Sequence, residues 1–167
     1  KLGISFLKLT LHLVSELESS SNLMQAIFVA TFIKNTSVKK RIIMSLLEKL
    51  DFNKAQFITL KDDYKVPELW LLDSRFVRCN ANKDEIGAIL ALDRIRNLAI
   101  SSANDENLAS DSAVTVLERI TGEILPVVCA SRVERVDAQT LIVSMEDRFD
   151  VLLKRLLEII SSCLDFL

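Results

Sequence analysis

The 167 residues carry 21 Lys/Arg against 23 Asp/Glu and one histidine, a formal charge of −2, so no net field recruits nucleic acid or an anionic membrane. Half of the residues are hydrophobic, but only three are glycine and two proline, too little turn punctuation for a sheet-rich domain of this size. These counts predict a single all-α domain over residues 1–167 with an aliphatic core. The charge is uneven: residues 1–54 hold eight Lys/Arg against four Asp/Glu, and residues 55–167 hold thirteen against nineteen.

In chain order, the first predicted helix runs from Leu2 to about Glu18. Its polar positions Ser5, Lys8, His12, Ser15 and Glu16 form one wet stripe on a 3.6-residue period. Apolar residues cover more than half of its circumference, so it is expected to lie sandwiched between neighbours. After a break at Ser19–Asn22, a second helix from Asn22 to Lys34 is apolar nearly all round. Asn35-Thr36-Ser37 then supplies a break and a cap for an amphipathic helix from Val38 to Leu50, with Val38, Ile42, Ile43, Leu46, Leu47 and Leu50 on one face. Within 51–66, Phe52, Phe57, Ile58 and Leu60 suit a short helix, and Lys61 to Lys65 an exposed turn.

Pro67 suits the first turn of a helix over Glu68–Cys79. Asn82, followed by Glu85 three positions on, is expected to cap a helix from Lys83 to Ala103, with Ile86, Ile89, Leu90, Leu92, Ile95, Leu98 and Ala99 inward. Ser101–Asn107 reads as a loop. A helix from Leu108 to Ser131 is expected to bend at Pro126. The last helix runs from about Ala138 to the end, with Met145, Phe149, Leu152, Leu153, Leu156, Leu157, Ile160 and Leu164 inward. Six to eight antiparallel helices result.

The segment Ser37–Leu50 resembles the second helix of a HEAT or armadillo repeat. Weaker likenesses start at Asp111 and Asp147, compatible with a period near 37 residues. The resemblance implies a HEAT/armadillo-like helical array, with an irregular helical bundle as the alternative architecture.

No residue set names a reaction. His12 is the only histidine, which excludes a histidine metal cage within the chain. Gly3, Gly87 and Gly122 stand alone in helical patterns, so neither a P-loop nor a dinucleotide fingerprint is present. The carboxylate pairs Asp62-Asp63, Asp84-Glu85, Asp105-Glu106 and Glu146-Asp147 fall at turns and helix starts, where capping explains them. Cys129 and Cys163 read as packing residues, and Cys79, beside Arg78, is the best candidate for a reactive thiol. Three widely spaced cysteines favour a reduced intracellular setting, cytoplasmic or nuclear. The longest uncharged run, Ser19 to Ile33, is too short to span a bilayer, and the start at Lys1 inside a helical pattern reads as a piece of a longer protein.

Two surfaces stand out. Lys34, Lys39, Lys40, Arg41, Lys49 and Lys54 form a basic region, but no aromatic side chains interleave with them for stacking on nucleic acid. Trp70 and Phe76 lie on a helix with four consecutive apolar residues, Leu69–Leu72, so it is either fully buried or exposes an apolar strip. The reading is an intracellular protein-interaction scaffold that needs no cofactor. Lys39, Lys40, Arg41, Lys49, Trp70 and Phe76 are its candidate contacts for another protein, an acidic or amphipathic helical segment. The alternatives are a helical enzyme with a cavity lined by Arg75, Arg78, Arg94 and Arg96, and a nucleic-acid-associated scaffold using residues 34–54.

Overall fold

Polar residues that satisfy helix ends interrupt the apolar periodicity, and the breaks fall there. The computed structural model describes the backbone of residues 2–102, 104–126 and 143–166, and within these the side chains of all but residues 2–5 and 143–153. Among the described residues there are eight α-helices and no strand: α1 (Leu2–Ser19), α2 (Leu23–Ala30), α3 (Thr36–Lys49), α4 (Lys54–Ile58), α5 (Glu68–Ala81), α6 (Glu85–Ser101), α7 (Glu106–Arg119) and α8 (Val143–Leu164). Two π-helical turns, Thr59–Asp63 and Ile120–Ile124, extend α4 and α7. The chain forms two compact units, residues 1–84 and 85–167.

In unit 1, the N-terminus of α3 is closed by Asn35, whose side chain accepts a hydrogen bond from the Val38 N–H at 3.0 Å. A reciprocal pair closes α4: Asn53 accepts from the Gln56 N–H at 3.0 Å, and the Gln56 side chain accepts from the Asn53 N–H at 2.9 Å. The C-terminus of α1 ends with Ser21 in the left-handed region, φ 61°. There the Asn22 N–H reaches the Leu17 carbonyl at 2.8 Å and the Ser21 N–H reaches Glu18 at 3.0 Å, satisfying two orphan carbonyls. The end of α5 repeats this geometry with Lys83 at φ 59° and the Asp84 N–H on the Cys79 carbonyl at 2.8 Å. Asn82 therefore lies in the end of α5 and does not start α6, as the sequence had led us to expect.

The core of unit 1 draws on α1, α2, α3, the 51–66 segment and α5. Val14, Ile27, Ile33, Ile43, Leu47, Leu60 and Leu71 are buried together. In the π turn Thr59–Asp63, Leu60 is fully buried while Lys61, Asp62 and Asp63 are exposed. The Glu68 carboxylate, 2.6 Å from the Lys61 ammonium, holds that lysine above its usual range against the opposing effect of burial. Helix α2 ends at Ala30, earlier than the periodicity implied, because residues 31–33 tighten into turns with N–H groups bonded three residues back.

In unit 2, α6, α7 and α8 pack on one another. Small side chains line the buried faces of α6 and α7: Ala88, Ala91 and Ala99 on the first, Ala109, Ser112 and Ala113 on the second. Small residues allow close helix approach, so the buried stripe of α6 runs Ala88, Leu92, Ile95, Ala99. Ile86 and Leu90, expected inward, are 71% and 57% exposed. On α8 the buried side chains are Leu156, Ile159 and Cys163, whereas Leu157 and Leu164 are exposed, a rotation of the expected face by about one position. Asp105 caps α7, its side chain accepting from the Leu108 N–H at 3.2 Å.

Residues Ile120–Ile124, just before Leu125, form a π turn, while the helix beyond Pro126 in which a bend was expected lies outside the described residues. Pro126 has no N–H for the Gly122 carbonyl, and its ring would press on that carbonyl in a regular α-helix. The expectations placed on residues 127–142, Cys129 included, and on the side chains of Leu2, Ile4, Met145, Phe149, Leu152 and Leu153 lie outside the described residues. The three segments that resemble a repeat sit at different registers: Ser37 is the second residue of α3, Asp111 the sixth of α7 and Asp147 the fifth of α8.

Candidate functional site

Helix α3 carries Lys39, Lys40 and Arg41 in its first two turns and no acidic residue in its first turn. This distribution opposes the helix dipole, which favours anionic side chains there. Lys40 and Arg41 are exposed and Lys39 is half-buried. Among the described residues none of the three forms an ion pair. Lys49, at the other end of α3, is bonded to Glu18 of α1, so its charge is already matched.

A groove of about 380 Å³ lies between α1 and α3. Leu11, Val14, Ser15 and Glu18 line it from α1, and Arg41, Ile42, Ser45 and Leu46 from α3. The sidedness follows from the sequence. Residues 11, 14, 15 and 18 share one face of α1, and 41, 42, 45 and 46 share one face of α3.

The expected wet stripe of α1 is present at Lys8, His12, Ser15 and Glu16, all exposed. His12 lies 3.3 Å from Glu16 one turn on, as a surface imidazole. The open arc continues past that stripe onto Phe6, Leu9 and Leu13, which are 54%, 65% and 44% exposed. Among the described residues α1 is therefore not sandwiched, as its composition had implied; its excess apolar face is open. Phe28 on α2 and Phe32 in the turn after it are also exposed and meet edge to face at 5.2 Å, with Tyr64 at 5.0 Å from Phe28.

Trp70 and Phe76 do not form an open anchor. Phe76 is fully buried, Leu69, Leu71 and Leu72 are buried, and Trp70 is half-buried against the core of unit 1. The run of four apolar residues is thus accommodated by burial on both sides of α5, and no apolar strip opens there.

The arginines have separate tasks. Arg75 and Arg94 are exposed. Arg78 donates to the Leu50 carbonyl, lies 3.3 Å from Asp51 and covers the Phe52 ring at 4.9 Å. In unit 2, Asp93 accepts from Arg96 at 2.7 Å and from Arg155 at 3.0 Å, joining α6 to α8. This last cluster is an ion-pair clamp between helices.

The thiol of Cys79 is pushed up by burial and by the Asp84 carboxylate, which outweigh Arg75 and Arg78. Cys163 is fully buried and also raised by burial. A raised thiol is a poorer nucleophile at neutral pH, so neither is activated. Among the described residues no three His, Cys, Asp or Glu side chains are placed to hold a metal ion, and no helix is long and apolar enough to cross a membrane.

Residues 5–78, all within unit 1, match the family model described as Nuclear protein 96 (Nup96), a family of structural nucleoporins without enzymatic activity. The match spans less than half of the chain. No curated protein and no solved structure matches it. The likeness is to a structural family and not to a catalytic one.

Proposed function

We propose that this chain is a non-enzymatic scaffold module of the nuclear pore, holding partner proteins on the helical surfaces of unit 1. The observation that carries the reading is the Nup96 likeness of residues 5–78, which covers most of α1, all of α2 to α4 and most of α5. Those helices also bear the cations Lys39, Lys40 and Arg41, which form no ion pair among the described residues, and the open apolar residues Phe6, Leu9 and Leu13. Such surfaces suit binding: apolar side chains left in water add nothing to the fold but stabilise a complex when covered, and unmatched cations select an acidic neighbour. Lys49 contributes to the fold through Glu18, so within the basic region the partner contacts are Lys39, Lys40 and Arg41.

The test is localisation and co-purification of the complete tagged protein in its own cells. Rim staining of the nuclear envelope together with stoichiometric recovery of other nucleoporins is the expected result. A diffuse signal with no nucleoporin recovered overturns the reading.

A further inference from the structure

We infer that the groove between α1 and α3 is a docking site for about two turns of an acidic amphipathic helix from another protein, oriented with a carboxylate against Arg41. The inference rests on the scaffold reading and names the chemistry of the partner. From Leu11 to Glu18, at 1.5 Å per residue, the groove is roughly 10 Å long, which matches apolar residues at i, i+3 or i+4, and i+7 of one inserted helix. Its floor is aliphatic, from Leu11, Val14, Ile42 and Leu46, and its walls include Ser15 and Ser45, whose small side chains leave room for a neighbouring backbone.

Charge decides the occupant. One mouth of the groove is neutral, because Glu18 there is bonded to Lys49. The other opens at Arg41, in a helix with no acid in its first turn. A carboxylate arriving at that end meets Arg41, which forms no ion pair among the described residues. Nucleic acid fits poorly, because no aromatic side chain lines the groove for base stacking. A second copy of the same face also fits poorly, because residues 1–54 carry eight cations against four anions and would repel.

The experiment places the photo-crosslinker p-benzoylphenylalanine at Ser45, an exposed position on the groove wall, in the complete protein in its own cells. The adducts are then sequenced by mass spectrometry. The expected product is a protein segment with aliphatic residues at helical spacing and Asp or Glu beside them. Its yield should fall about tenfold, the equivalent of about 1.4 kcal/mol, on Arg41→Glu, and stay within about twofold on Lys54→Glu. Lys54 is exposed and lies outside the groove, and an unchanged thermal midpoint confirms that both variants fold. Adducts to nucleic acid, to a second copy of this chain or to a segment lacking acids overturn the proposal, as does no adduct or a yield indifferent to Arg41→Glu. If the protein remains at the nuclear rim while the crosslink fails, the groove assignment falls and the scaffold reading stands. Loss of the rim signal in the unsubstituted protein removes the scaffold reading itself.

Discussion

Truncating Arg78 to alanine is expected to destabilise unit 1 by about 2–4 kcal/mol, because this side chain ties the segment after α3 to α5. A charged donor on a carbonyl contributes about 1.5–3 kcal/mol, here to Leu50. The guanidinium over the Phe52 ring at 4.9 Å adds about 0.5–1 kcal/mol. Asp51 is left out of the sum, since its side chain is 96% exposed and water screens the pair. The arginine side chain itself is only 19% exposed, so the lost contacts are not replaced by solvent. Urea unfolding followed by far-UV circular dichroism measures the change. With a slope of about 2 kcal/mol per molar, the midpoint should fall by about 1–2 M. Arg78→Lys should recover only part of the loss, because an ammonium lacks the planar fork that reaches the carbonyl while covering the ring. A loss below about 0.5 kcal/mol, or full recovery by lysine, would refute the assignment of Arg78 as a backbone clamp.

Ser21→Gly and Lys83→Gly should each stabilise the fold by up to about 1 kcal/mol, because both positions hold left-handed backbone (φ 61° and 59°) that costs an L side chain about 1–2 kcal/mol; calorimetry checks this, and a lower melting point contradicts it. Cys79 should react with iodoacetamide more slowly than free cysteine at pH 8, and Asp84→Asn should speed it and move the pH dependence downward, since the carboxylate raises the thiol; an unchanged or slower rate after the substitution counts against that cause. Leu9→Gln should alter stability by less than about 0.5 kcal/mol, because Leu9 is 65% exposed and glutamine matches leucine closely in helix propensity; a loss above about 1 kcal/mol would show that Leu9 is packed.

Helix positions were legible where a polar residue closes a helix N-terminus in its own sequence neighbourhood. Asn35 before α3 and Asp105 before α7 both accept from the N–H three residues on. Helix C-termini were less legible. Glycine usually marks the left-handed residue there, but Ser21 and Lys83 take that role in this chain, so Asn82 looked like the start of the next helix. Inward faces were legible for α3, whose apolar residues share one stripe, and not for α6 or α8. In α6, alanine set the packing distance and left Ile86 and Leu90 outside. In α8, the buried stripe is fixed by which helices it meets, information that no local period contains.

The same gap explains what was seen of the candidate site. The basic residues were visible because three cations in succession need no tertiary context. Their pairing was not: Lys49 meets Glu18, 31 positions away, and drops out of the free set. Conversely, Trp70 and Phe76 drew attention by residue type, yet size and apolarity favour a core as strongly as an interface. Phe6, Leu9 and Leu13 were hidden within an α1 that is apolar over more than half its circumference. A fully covered aliphatic side chain contributes about 1.5–3 kcal/mol, and these three already have part of their surface out of water. Covering the rest therefore falls short of, or only reaches, the roughly 4–15 kcal/mol that association itself costs. An α1 strip of this size does not hold a partner alone. In the docking proposed above, the groove and Arg41 share the work, which is why reversing the single charge of Arg41 is the informative perturbation.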